Sequence, residues 1–382
     1  EPTVTDPDGY SYFRTKGRGT IRFKNSATEG DITTMDVQGG WQIENIDSAD
    51  AKQRPVKILQ RVDLSKKSLS QGNGRTYIMD RPLLPSRKSV YDVVSDTVAY
   101  PEFKSFFKVM SEAGVFAETS NTNKIGSKRC ISSFNTYHYT VYVPKNAGVD
   151  ALLANKTLML PTELNEINED YDLIKQYLET DYVGDPALKD SIILAQYTDS
   201  LIALSVQLFG VPDTAGAKTA AAPRRSGETD AKFNERRGPR YFTNKKLNQL
   251  RNFVKYHIQD NSVYIGADFN PGIDEKTGLP AVNAEYETAF MNSNQQFVKL
   301  TVKGGDKISI TDKNGHVREV QQINNPKGKP YYNIMCREYE IKQLDGGNQF
   351  VESTYEEFAI ETSSYAVVHL IDEPLCNGDV IF

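Results

Sequence analysis

The chain has 382 residues, of which 38% are hydrophobic and 25% charged, the balance of a soluble globular protein long enough for more than one domain. This profile disfavours disorder and membrane spanning. Forty-five basic against fifty acidic side chains leave a formal charge of −5, too small and of the wrong sign for a general nucleic-acid binder that works by phosphate neutralisation. The expected partner is a protein, a glycan or a surface.

Three cysteines, Cys130, Cys336 and Cys376, are too few and too widely spaced for a disulfide scaffold, and no Cys-x-x-Cys pair could hold zinc or do dithiol chemistry. At most one bridge can form, and whether Cys336 and Cys376 pair stays open. The sequence begins at Glu1 without Met and carries neither a signal peptide nor an apolar run near the roughly 20 residues a bilayer needs. The expectation is a targeting segment already removed, or a start inside a longer protein.

In chain order, the first elements read as strands that return later. Tyr10-Ser-Tyr-Phe13 followed by Gly19-Thr-Ile-Arg-Phe23 has a counterpart in Tyr286-Glu-Thr-Ala-Phe290 followed by Phe297-Val-Lys-Leu-Thr-Val302. Arg54-Pro-Val-Lys-Ile-Leu59 matches Lys329-Pro-Tyr-Tyr-Asn-Ile-Met335 loosely. Gly74-Arg-Thr-Tyr-Ile-Met-Asp80-Arg-Pro82-Leu83 and Val367-Val-His-Leu-Ile-Asp372-Glu-Pro374-Leu375 both close an apolar strand with Asp-x-Pro-Leu. Three matches in one order predict an internal duplication. The first copy holds only the strand-rich later part, so residues 1–86 read as the tail of a domain or as a small β-subdomain completed by the second.

Ser89 then caps a helix over Val90 to Val98, and Pro101 opens another, in which Phe103, Phe106, Phe107 and Met110 recur at helical spacing until Gly114. That spacing puts all four on one buried face, at about 1.5–3 kcal/mol for each side chain. Tyr137 to Val143 is aromatic and β-branched, a strand that stops at Pro144. Residues 151–208 read as helical. Leu164, Ile167, Tyr171, Ile174 and Leu178 form one stripe, Gly184-Asp-Pro186 breaks it, and Ile192 to Phe209 follows. Pro212 to Arg240 is rich in Ala, Gly, Pro and Arg and reads as a mobile basic loop. Leu247, Leu250, Phe253 and Val254 mark an inward helix face that ends at Tyr256-His257, after which strands and turns dominate.

Four of these segments, in order, resemble the fasciclin domain, a module of cell-surface and secreted adhesion proteins. The helices at Tyr91-Asp-Val-Val-Ser95 and Phe103 to Gly114 resemble its start. Tyr139-Thr-Val-Tyr-Val-Pro-Lys-Asn-Ala147 resembles its first box, Phe253-Val-Lys-Tyr-His257 its Tyr-His motif, and Val367 to Leu375 its second box. The resemblance covers residues 88 to 376. Ser364-Tyr-Ala366 stands where the family often has Asn-Gly, and the spacing from Pro144 to His257 exceeds what the module needs.

The resemblance implies an α+β fold, a fasciclin-like β-sandwich or wedge with packed helices. Residues 87–382 would form a complete domain carrying a helical insertion at about 151–242, preceded by the strand-rich part of a first unit at 1–86. It also implies a non-enzymatic adhesion protein at the cell surface or outside the cell, of the type of Gram-negative outer-membrane lipoproteins, anchored through lipid upstream of Glu1. Tyr256 and His257 are the binding residues it suggests. A second reading is a glycan-binding accessory of a surface polysaccharide uptake system, with Trp41, Tyr331 and Tyr332 stacking on sugar rings.

Catalytic patterns do not emerge. His138, His257, His316 and His369 lack metal spacing such as His-Glu-x-x-His, and neither Gly-x-Ser-x-Gly nor a phosphate loop occurs. No catalytic residue, metal ligand or cofactor is expected. Asp268 to Glu275 places oxygens at alternate positions like a calcium loop, but Gly272 is one place early and no Glu stands at the twelfth position, so a hairpin turn is expected.

Overall fold

The computed structural model describes residues 5–28, 30–44, 56–63, 74–118, 125–126, 129–131, 138–267, 284–304, 307–324, 332–343 and 358–376. The calcium-like stretch from Asp268 to Glu275, Tyr331 and the start of the Arg54 segment lie outside them.

In chain order the elements are β1 (Ser11–Arg14), β2 (Thr20–Lys24), β3 (Asp36–Gly39), α1 (Gly40–Glu44), β4 (Ile58–Asp63), β5 (Arg75–Met79), α2 (Val90–Ser95) and α3 (Lys104–Glu112). There follow β6 (Phe116–Glu118), β7 (Ile125–Gly126), β8 (Arg129–Ile131), β9 (His138–Pro144) and the helices α4 (Asn146–Ala154), α5 (Pro161–Thr180), α6 (Lys189–Phe209), α7 (Thr214–Ala221), α8 (Asp230–Arg236) and α9 (Arg240–Tyr256). The chain ends in β10 (Ile258–Asp260), β11 (Ala284–Met291), β12 (Phe297–Lys303), β13 (Ser309–Thr311), β14 (Val317–Gln321), β15 (Ile334–Gln343) and β16 (Phe358–Ile371). This is a mixed α+β protein. It divides into two compact units, one drawn from Glu1–Phe107, Phe116–Gly148 and Lys255–Cys376, the other from Lys108–Val115 and Val149–Val254.

The first unit is built on a sheet ordered β14-β13-β12-β11-β10-β9-β16-β15-β7. A sandwich or wedge was the expectation; instead the sheet closes, because β14 also pairs with the end of β16, Val320 opposite Ile371 and Gln321 opposite Leu370. Seven strands thereby form a barrel, and closure removes two exposed edges. β16 is long enough for both tasks, since its earlier part pairs with β15 from Val368 to Phe358. β12 shows why the residues choose this arrangement: Val298, Leu300 and Val302 are buried while Phe297, Lys299 and Lys303 face water, the alternation that a sheet with one wet face requires. β9, buried at every position after His138, lies in the interior, parallel to β16 and antiparallel to β10.

The described strands β1 to β5 show pairings of the same kind. β1, β2 and β3 form an antiparallel meander, as β11, β12 and β13 do. β4 and β5 form an antiparallel pair that ends at Asp80, as β15 and β16 do before Asp372. Each aspartate accepts a backbone amide, but from a different place: Asp80 Oδ1 from Lys57, just before β4, at 2.9 Å, and Asp372 Oδ1 from Glu319 on β14 at 3.0 Å.

The helices follow from their caps. The Ser89 hydroxyl accepts from the Asp92 amide and Asp92 from the Ser89 amide, a capping box that satisfies orphan donors of α2. The helix stops at Ser95, three residues short of the expected Val98. Pro101–Phe103 is a 3₁₀ turn leading into α3. Phe103, Phe106 and Met110 are buried completely, whereas Phe107 is half-buried against Tyr91 and Phe116, at ring separations of 5.7 and 6.4 Å.

The second unit is helical. Leu164 on α5, Tyr197, Leu201, Leu204 and Leu208 on α6, Ala217 and Ala220 on α7 and Phe242 on α9 make its core, with Ile167, Tyr171 and Leu178 packed against it. α6 is 21 residues long with a mean hydropathy of 1.4 over its most apolar window, long and apolar enough to cross a membrane by length and composition. The expectation that no such run exists is therefore corrected. One third of that window is buried, on the stripe from Ile193 to Leu208 that faces the core, the one-sided burial of an amphipathic helix.

The basic stretch from Pro212 to Arg240 is not the expected loop. Asp213 caps α7 through the Gly216 amide at 2.7 Å and Thr229 caps α8. The Arg236 guanidinium donates to the carbonyl oxygens of Thr219 and Pro223, both at 3.0 Å, and forms two bonds to the Glu228 carboxylate. Those carbonyls lie at the C-terminal end of α7, where a cation is favoured, so the basic side chains order the segment rather than solvate it.

Candidate functional site

Tyr256 and His257 stand where α9 ends and β10 begins. Both are fully buried. The Tyr256 hydroxyl accepts from the Lys313 amide at 2.9 Å, and its ring meets Phe290 edge-on at 6.3 Å; burial pushes the phenol well above its ordinary pKa. His257 Nε2 accepts from the Leu375 amide at 3.0 Å, so the imidazole is neutral with its proton on Nδ1. Its ring lies 5.1 Å from that of Phe106, and its carbonyl accepts from the Tyr142 amide at 2.9 Å.

These bonds gather the sequence landmarks into one corner. The first-box strand β9 and the second-box strand β16 run side by side, Val141 opposite Val368 and Val143 opposite Leu370. Asn146, two residues past Pro144, accepts from the Ser105 amide at 2.9 Å and donates to the Pro101 carbonyl at 2.9 Å, capping the start of α3 from the first box. Gly148 allows the second box to approach: a Cβ there would sit 2.5 Å from Pro374 Cδ. The tail beyond β16 is fixed by the Arg318 guanidinium on the Pro374 carbonyl at 3.0 Å and by Asp312 Oδ2, which accepts from the Cys376 amide at 3.1 Å.

His369 sits elsewhere. It is fully buried, with Nδ1 2.9 Å from the Tyr332 carbonyl and Nε2 2.8 Å from the Val263 carbonyl, and burial holds its pKa below the ordinary value. The two histidines do not converge, and among the described residues no group of three or more His, Cys, Asp or Glu side chains is placed to hold a metal. Cys130, Cys336 and Cys376 form no disulfide, and burial pushes the Cys336 thiol far up, away from nucleophilic character. Trp41 is half-buried with the Arg87 guanidinium 5.4 Å from its ring centre.

The second unit presents what the corner does not, an open apolar surface. Leu173, Tyr177, Val183 and Leu188, around the turn between α5 and α6, are all more than half exposed, Val183 to 97%. The helical stripe drawn from sequence put Ile174 with the inward residues, yet it is exposed on this side. Tyr177 and the Leu173-Ile174 doublet fall outside a single stripe, which was the available signal.

No protein-family model matches the chain, and no curated protein matches it. Among solved structures it is similar to a FAS1 domain pair from the insect cell adhesion molecule Fasciclin I, with 13% sequence identity and a TM-score of 0.27, covering 95% of this chain and 69% of that one. A likeness at that TM-score decides nothing further about this chain.

Proposed function

We propose that this protein is a non-enzymatic interaction protein of fasciclin type, acting at a cell surface or outside the cell, in which the motif segments serve architecture and the exterior serves recognition. One observation carries the reading: the four motif-like segments, spread over nearly three hundred residues of sequence, meet through β9 beside β16, Asn146 on α3 and His257 on Leu375. His257 Nε2 and both polar atoms of the Asn146 side chain are engaged with backbone partners, which supports a role in holding the fold rather than a substrate. Adhesion then falls to side chains that remain exposed.

Fractionation of the source cells, combined with protease treatment of intact cells, tests this. The expected result is a surface-accessible or released protein. Recovery in the cytosol, protected from protease, would refute it.

A further inference from the structure

We propose that the free end of the α5–α6 hairpin is a docking surface for a cationic, apolar-anchored segment of a partner protein. The inference rests on the interaction-protein reading and gives it a place and a chemistry. A cleft of about 380 Å³ opens beside the α5–α6 turn, walled by Tyr177, Leu178, Tyr182, Leu188, Ile192 and Gln196, with Asp181 and Asp185 on its rim. Its size is that of a site for a few side chains. The apolar side chains around it, Tyr177 at 65% and Val183 at 97% exposure, are too many on one short turn to be the scattered surface apolars of any protein.

The turn is already ordered. The Tyr182 hydroxyl donates to the Asp185 carbonyl at 3.0 Å, the Ala187 amide to Asp185 Oδ1 at 2.9 Å and the Leu188 amide to the Asp185 carbonyl at 3.0 Å. Gly184 lies beneath the tyrosine, where a Cβ would come within 2.6 Å of the hydroxyl. A preorganised rim loses little conformational freedom on binding.

Charge selects the occupant. Between Pro161 and Ile192 stand nine acidic residues against two basic ones. Glu163 and Asp172 are paired with Lys156 and Arg240, and of the two lysines Lys175 lies beside Glu179 while Lys189 sits 6.0 Å over the Tyr182 ring. The rim therefore stays acidic, and its tyrosines already accept one cation on a ring face. An anionic lipid surface would be repelled, and a two-fold contact with a second copy would press the same acidic rim against itself. A Lys- or Arg-rich segment with an apolar residue for the cleft meets both features, with opposite charges steering the encounter.

The test uses the full chain and a labelled amphipathic Lys/Leu peptide followed by fluorescence anisotropy, with a Glu/Leu peptide of the same pattern, phosphatidylserine vesicles and sedimentation of the protein alone as parallel arms. Expected are binding of the Lys/Leu peptide only, weakening with salt, and a loss of about tenfold or more in both Asp181→Lys/Asp185→Lys and Tyr177→Ala/Val183→Ser, with unchanged helical circular dichroism. All four positions are exposed, Tyr177 on α5 and the other three in the turn; because Asp185 Oδ1 also holds the Ala187 amide, the Tyr177/Val183 variant carries the test if the charge variant misfolds. Equal binding of both peptides, wild-type affinity in a folded variant, vesicle binding through the hairpin, or self-association abolished by the same substitutions would overturn the proposal. A cytosolic location would sink the surface reading and leave this affinity standing; a surface location without charge-selective binding would sink this proposal alone.

Discussion

Glu338 on β15 gives a test of the barrel unit that can be worked through in numbers. The side chain is buried, accepts from the Ile131 amide at 3.2 Å and lies beside Tyr139 and the start of α2. Burial pushes its pKa from 4.5 up to about 7, against the smaller opposing effect of the groups that hydrogen-bond it. The folded state thus keeps a proton that the unfolded state gives up near 4.5, so stability is full below that pH and falls as pH rises through the interval to about 7. At about 1.36 kcal/mol per pH unit, the loss amounts to about 3 kcal/mol. In Glu338→Gln the side chain cannot ionise, yet its carbonyl can still accept from Ile131. The variant should match wild type near pH 4.5 and exceed it by up to about 3 kcal/mol above pH 7. Urea unfolding at pH values on both sides of that interval measures the difference, and Trp41, the single tryptophan, reports from the same unit. Two parallel stability curves, or a variant that loses ground as pH rises, would refute the reasoning.

Three further outcomes follow from contacts already described. Gly148→Ala gains about 0.5–1 kcal/mol of helix propensity but drives a Cβ to 2.5 Å from Pro374 Cδ, an overpacking cost of about 1–3 kcal/mol; calorimetry should show a net fall in the barrel unit's Tm. Tyr256→Phe removes the acceptor of the Lys313 amide, so it should lose about 0.5–1.5 kcal/mol in urea unfolding while peptide binding at the hairpin stays at wild-type level. Arg236→Ala removes the donors from the Thr219 and Pro223 carbonyls and the partner of Glu228. Amides of α7 and α8 should then exchange faster with deuterium than those of α5, and equal rates would show that the arginine orders nothing.

What could be read from sequence was whatever lies within one element. Phe103, Phe106 and Met110 announced a buried helix face because their spacing matches the helical period, and Pro144 ended β9 because it has no donor for a ladder. What depends on distant partners was hidden. The barrel closes through two residues at each of the ends of β14 and β16, a pairing that no periodicity encodes. The order of the basic stretch was hidden for the same reason: its composition resembles a linker, and only the meeting of Arg236 with carbonyls 13 and 17 residues away makes it a structure. At the candidate site the sequence offered Tyr256 and His257 both as a structural pair at a helix end and as binding residues, and could not name the partners, the Lys313 and Leu375 amides, which lie 57 and 118 residues further along the chain.

The proposed division of labour between the corner and the hairpin has an energetic ground. A change at the corner disturbs a buried hydrogen bond or a filled space and costs kilocalories, so that region tolerates little alteration whatever the protein binds. At the α5–α6 turn, Val183, Tyr177 and Leu188 face water, and exchange of such side chains usually shifts stability by no more than about 0.5 kcal/mol. Each exposed apolar group there can gain or lose contact area with a partner at almost no expense to the fold. A surface with that freedom can be matched to a partner without unmaking the barrel, and this separates the residues that hold the protein together from those that would let it hold something else.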